Sequence, residues 1–102
     1  MRYTISKETA RDLENIWLYT CETWSEEQAD RYYNLLLDEI EYVAKNPGAG
    51  KDHSHIRSGY LRSQVRSHYI FYKIDQGENV IEIIRILHQR MDIQARLITD
   101  RP

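Results

Sequence analysis

At 102 residues, with 41% apolar and 29% charged side chains, the chain has the size and balance of one globular domain, 1–102, with a modest core. No apolar run approaches the ~20 residues that span a bilayer, and the opening MRYTISKETARDL holds no signal-peptide core, so neither membrane insertion nor export is expected. A net charge of −2 and a pI of 6.1 argue against the basic footprint of a nucleic-acid binder, and the single cysteine, Cys21, cannot close an intrachain disulfide, which fits a reducing cytoplasm.

The first element is a short strand in RYTIS, built on Tyr3, Thr4 and Ile5. Ser6 then offers an N-cap for a helix with Glu8 in its first turn. Ala10, Leu13, Trp17, Cys21 and Trp24, with Ile16 alongside, form one apolar stripe at three- and four-residue spacing. Leu18 and Tyr19 fall off that stripe and either widen the core contact or face a partner. Ser25 with Gln28 reads as a capping box, so a second helix starts there and folds back on the first. Its inward face is Ala29, Tyr32, Tyr33, Leu36, Ile40, Val43 and Ala44, and it stops at KNPGAG. Leu35, Leu36 and Leu37 step by about 100° each and cannot all point inward. Leu35 lies one heptad before Tyr42, which gives a second apolar strip: a wide core contact or a groove for another chain.

After the loop GAGKDHSHIRS come three strand candidates: YLRSQVR, with one markedly basic face, HYIFYKI and NVIEIIRILH. DQGEN between the last two is a hairpin turn. Short connections predict a three-stranded antiparallel sheet under the helical hairpin, an α+β domain of order β-αα-βββ with room for a short C-terminal helix. Strict alternation on the last strand places Ile81, Ile83, Arg85 and Leu87 on one face. Val80, Glu82, Ile84, Ile86 and His88 take the other, and both are apolar enough for a central, buried strand.

DHSH, 52–55, holds two histidines in a Gly-rich loop, but zinc needs four ligands and no second cluster supplies them, so an exposed loop is expected and no metal. There is no phosphate loop, nucleophile elbow or HExxH, so no catalytic residue and no cofactor is assigned. The remaining constellation is Arg57, Arg62, Arg66, Arg85, His88 and Arg90. An arginine inside a buried strand needs a carboxylate, which favours a structural ion pair for Arg85 over an arginine aimed at a phosphate or an acidic partner. His88 has no orienting carboxylate nearer in sequence than Asp92.

DLENIWLYTCETWSEEQADRYY (12–33), NPGAGK, IRSGYLR, HYIFYKI and IIRILHQRMD together resemble the ParE-type toxins of the RelE/ParE toxin–antitoxin superfamily, over essentially the whole chain. The resemblance implies a helical hairpin on an antiparallel sheet. It also implies a cytoplasmic bacterial toxin held inactive in a hetero-oligomer by a cognate ParD-like antitoxin, and DNA gyrase as the target. Neither a membrane nor sequence-specific nucleic acid is an expected partner. Antitoxin contacts are expected at Trp17, Tyr19, Leu35, Leu36 and Tyr42 on the hairpin and Phe71 on the sheet. Target contacts are expected at Arg57, Arg62, Arg85, His88, Arg90, Met91 and Asp92. The competing expectation is a ribosome-dependent mRNA endonuclease of the RelE/YoeB kind, with His88 at that branch's near-terminal histidine. Gln89 replaces the aromatic that follows it there, and no Asp or Glu occurs between His53 and Ile74 to act as base. A third expectation is an interaction domain without toxicity.

Overall fold

Two serines and one edge of the sheet decide how the hairpin sits. The computed structural model describes residues 1–99. In chain order these form β1 (Arg2–Ile5), α1 (Lys7–Thr23), α2 (Glu26–Lys45), a 3-10 turn (Pro47–Ala49), β2 (Lys51–Asp52), β3 (Leu61–Val65), β4 (His68–Asp75), β5 (Val80–His88) and α3 (Ile93–Thr99). None of the described helices is long and apolar enough to cross a membrane. Ser6 and Ser25 cap α1 and α2 by accepting the backbone N–H of Thr9 and Gln28, each about 1 kcal/mol of helix stability.

The sheet order is β1-β5-β4-β3-β2. β3, β4 and β5 are the antiparallel trio that the sequence predicts. Two further strands extend it: β1 pairs parallel with β5, and β2 adds two residues beside β3 inside the predicted loop. The sheet is therefore mixed. β1 stops at Ile5, and from there α1 takes over the open edge of β5. The Ser6 N–H and the Thr9 hydroxyl both donate to the Ile83 carbonyl, and the Ser6 hydroxyl donates to that of Ile84. Thr9, fully buried, thus takes an inward position where the stripe predicted Ala10, and Ala10 is exposed. Trp24, also assigned to the stripe, sits beyond the last turn of α1 and is exposed. On α2 the spacing holds, and Ala29, Leu36, Ile40, Val43 and Ala44 are all buried.

β5 departs from strict alternation. Phe71 pairs with Arg85 but Tyr72 pairs with Ile83, so Ile84 is an extra residue, a β-bulge. The predicted faces are accordingly wrong past Ile84: Ile81, Ile83 and Ile86 pack under the hairpin, while Ile84 and Leu87 pack on the far side with Tyr60, Phe71 and Leu97. The sheet is thus buried on both faces, by the hairpin on one and by α3 with the 53–60 loop on the other. Where the chain leaves α2, the Tyr72 hydroxyl donates to the Pro47 carbonyl and accepts from the Gly50 N–H, both at 2.9 Å. A Cβ at Gly50 would lie 2.2 Å from that hydroxyl, so only glycine fits there.

Candidate partner-binding site

Arg85 is settled by α1. Its Nε and one terminal nitrogen donate to the two oxygens of Asp12 at 2.8 and 2.9 Å, and the Ile86 N–H donates to the same carboxylate at 2.9 Å. Side-chain exposures of 9% and 11% make this a buried, bidentate pair. The ion pair with a helix acid is present, and it overrules the placement of Arg85 among the target contacts.

His88 points elsewhere. Past the bulge, β4 and β5 bring His68 opposite His88, with the rings edge to face at 5.2 Å. The Tyr32 hydroxyl of α2 lies 3.0 Å from the Val65 carbonyl and 2.7 Å from His68 Nδ1. A carbonyl can only accept, so the phenol donates to Val65 and accepts from His68, which puts the His68 proton on Nδ1. His88 Nδ1 accepts from the Arg90 N–H at 3.1 Å, so a neutral His88 carries its proton on Nε2. Burial, with His88 adding to it, pushes His68 down to about 4 against a weaker upward pull from Asp12, and burial pushes the Tyr32 phenol up. His68 is therefore neutral at physiological pH.

These groups floor an open cleft of about 250 Å³ between the α1–α2 connection and the β3–β4 turn, walled by Ile16, Tyr19, Trp24 and Leu35. The turn is only Arg66 and Ser67, and Arg66 is held at a φ of 51°. A side chain in that left-handed region costs about 1–2 kcal/mol. It is held by Tyr32 on Val65, by Gln64 Nε2 donating to the Arg66 carbonyl, and by the Gln89 N–H donating to that of Ser67.

The other predicted contacts scatter. Tyr19 and Tyr42 are exposed, at 68% and 52%, and Leu35 is half-buried in the cleft wall. Trp17 is half-buried, and its Nε1 donates to Asp30 at 2.8 Å, pinning α1 to α2. Leu36 and Phe71 are fully buried, the first under the hairpin and the second against Ile84 and Leu87, so neither can meet an antitoxin and both assignments are corrected to core. Arg57 donates to the Leu97 carbonyl on α3, and Arg62 lies 4.3 Å over the Tyr69 ring on the far face of the sheet. Asp92 caps α3 by accepting the Ala95 N–H, while Arg90 and Met91 stand exposed in the turn before it. The seven predicted target residues therefore do not form one surface.

Asp52 accepts from the Ser54 N–H and hydroxyl, and no group of three His, Cys, Asp or Glu among the described residues could hold a metal ion. His68 and Tyr32 were missed as site residues. The pairing of HYIFYKI with IIRILH was the available signal, but matching the two histidines needs the bulge.

A family model described as the ParE toxin of the type II toxin–antitoxin system parDE matches residues 3–93. Toxin ParE1 of Caulobacter vibrioides is 39% identical over 95 residues, covering 93% of this chain and 96% of that protein. Toxin ParE1 of Mycobacterium tuberculosis is 38% identical over 96 residues, 94% and 97% of the two chains. Toxin ParE of Escherichia coli is 33% identical over 95 residues, 93% and 91%. Among solved structures, a chain of the chromosomal ParDE system from P. aeruginosa superposes with a TM-score of 0.73 at 17% identity, over 86% of this chain and 95% of that one. The isolated E. coli RelE toxin gives 0.64 at 10% identity, over 97% and 96%. At such identities the two structures speak to the fold alone.

Proposed function

The chain belongs to the ParE toxin family of type II toxin–antitoxin systems, and from that premise we propose that it acts by binding, without catalysis, to inhibit DNA gyrase and so replication. In the resting cell a ParD-like antitoxin holds it in a hetero-oligomer in the bacterial cytoplasm. The observation that carries the binding mode is the fate of the C-terminal ionisable residues. Arg85 is consumed by Asp12, Asp92 by α3, and the two histidines by each other's neighbourhood in a cleft lined by no carboxylate. General acid–base cleavage of RNA asks for a base and an acid on either side of the reacting phosphate, and in this cleft His68 is neutral and tied through Nδ1 to the Tyr32 hydroxyl. Antitoxin contact on the hairpin is supported by the exposed Tyr19, Trp24 and Tyr42 and by the parDE toxin–antitoxin system that the matching family model names.

Purified protein is added to a gyrase supercoiling assay and to a translating extract followed by mRNA end mapping. Inhibition of supercoiling with intact mRNA is expected. Codon-phased mRNA ends with unimpaired gyrase would overturn the proposal in favour of a ribosome-dependent endonuclease, and inertness in both assays, with no growth arrest on expression, would leave an interaction domain without toxicity.

A further inference from the structure

The cleft at the α1–α2 connection has the opposite charge character to the hairpin around it. Residues 1–50 contain ten acids against five Lys and Arg, and most of those acids stand exposed on α1 and α2. The cleft lining nevertheless takes Arg31, Arg66, His68 and His88, and no Asp or Glu. Arg31 already meets Glu27 in an exposed helix pair, which leaves Arg66 as the guanidinium at the mouth. Position 66 needs a left-handed backbone, which glycine adopts freely, yet it carries arginine and is braced by three hydrogen bonds. The two-residue turn requires that backbone, and the three bonds fix it so that the Arg66 side chain lines the cleft. His88 adds a directed donor, because the Arg90 N–H occupies its Nδ1 and leaves the Nε2 proton free of that contact. Next to these donors lies an apolar platform of Tyr19, Trp24 and Leu35, the first two 68% and 69% exposed.

We infer that this cleft seats an acidic–apolar segment of the antitoxin, with a carboxylate bound by Arg66 and the His88 Nε2–H and the adjoining apolar side chain laid on Tyr19, Trp24 and Leu35. The inference rests on the toxin–antitoxin reading above and names the chemistry that this part of the partner must carry. Charge complementarity selects the occupant: an acidic segment is attracted into a cleft whose lining holds arginine and no carboxylate.

The probe is the purified antitoxin encoded beside this chain's own gene, titrated by calorimetry at about 50 and about 300 mM salt, where screening differs strongly. Arg66→Gly removes the guanidinium and relieves the backbone, so its melting temperature should be unchanged or higher. Its affinity at low salt should fall at least about tenfold and its salt dependence should flatten. Lys73→Gln, which removes an equal charge from a remote strand, should bind as the unaltered chain does. Arg66→Gly binding within about twofold of the unaltered chain would overturn the inference while leaving the antitoxin reading intact. An unaltered chain that forms no complex would overturn that reading, and this inference with it. Arg66→Gly that abolishes self-association but not antitoxin binding would assign the cleft to a second copy and refute the antitoxin as occupant.

Discussion

Asp12→Ala tests the buried ion pair on which β5 and α1 depend. The substitution leaves the Arg85 guanidinium, in a side chain only 9% exposed, without its carboxylate, and takes away the acceptor of the Ile86 N–H. Removing one partner of a buried pair costs about 3–5 kcal/mol, because the remaining charge stays desolvated and uncompensated. Against a total of about 5–15 kcal/mol for a domain of this size, that is a large share of the stability, and it lowers the melting temperature by about 15–30 °C. Urea unfolding followed by fluorescence of Trp17 and Trp24 at neutral pH measures the loss. The double variant Asp12→Leu with Arg85→Met removes both charges and should recover most of it, since a buried pair replaced by apolar groups is often close to neutral. A loss under about 1 kcal/mol for Asp12→Ala, or a double variant no more stable than the single, would refute a structural role for the pair.

His68 makes stability depend on pH in a definite direction. Its folded value near 4 lies below the unfolded 6.5, so the unfolded chain takes up the proton first, and the contribution is complete above 6.5 and lost as pH falls towards 4. The gap sets a ceiling of about 3 kcal/mol, roughly halved because the ring is partly solvated. The drop in unfolding free energy between pH 7.5 and pH 5 should therefore shrink by about 1 kcal/mol in His68→Gln, and an unchanged drop would argue that the ring protonates in place. Gly50→Ala forces a methyl group against the Tyr72 hydroxyl and should cost about 2–3 kcal/mol in thermal melts. Arg90→Ala with Met91→Ala alters two exposed side chains and spares the Asp92 cap, so growth arrest should be abolished at an unchanged melting temperature. Arrest that persists in that variant removes the turn from the toxic surface.

The sequence makes legible whatever one element decides alone. The α2 stripe and both serine caps depend on spacing within a single helix, and they stand as read. Of the three successive leucines only Leu36 is buried, a choice set by how α2 rolls on the sheet and invisible in LLL itself. The polar turns of α1 could not be read, because Ser6, Thr9 and Asp12 face inward only where a strand edge supplies carbonyls and an N–H to meet them. β2 is two residues long and shows no alternation, and the β1–β5 pairing joins segments that are far apart in sequence.

The site was hidden by one residue. Without the bulge at Ile84, alternation puts Arg85 on the face of Ile81 and Ile83 and His88 on the other with Ile84 and Ile86, so His88–Asp92 read as one recognition edge apart from Arg85. With it, Arg85 reaches the β5 edge and is taken by Asp12, while His88 comes under the hairpin to meet His68, whose proton is directed by Tyr32. The inserted residue thus exchanges the faces of Arg85 and His88, leaving a structural ion pair, a cleft and a bare turn. Loss of toxicity on changing Arg85 would then report a collapsed fold, whereas Arg90 and Met91, exposed and outside the cleft, leave the target surface open to test by substitution without touching either of the other two.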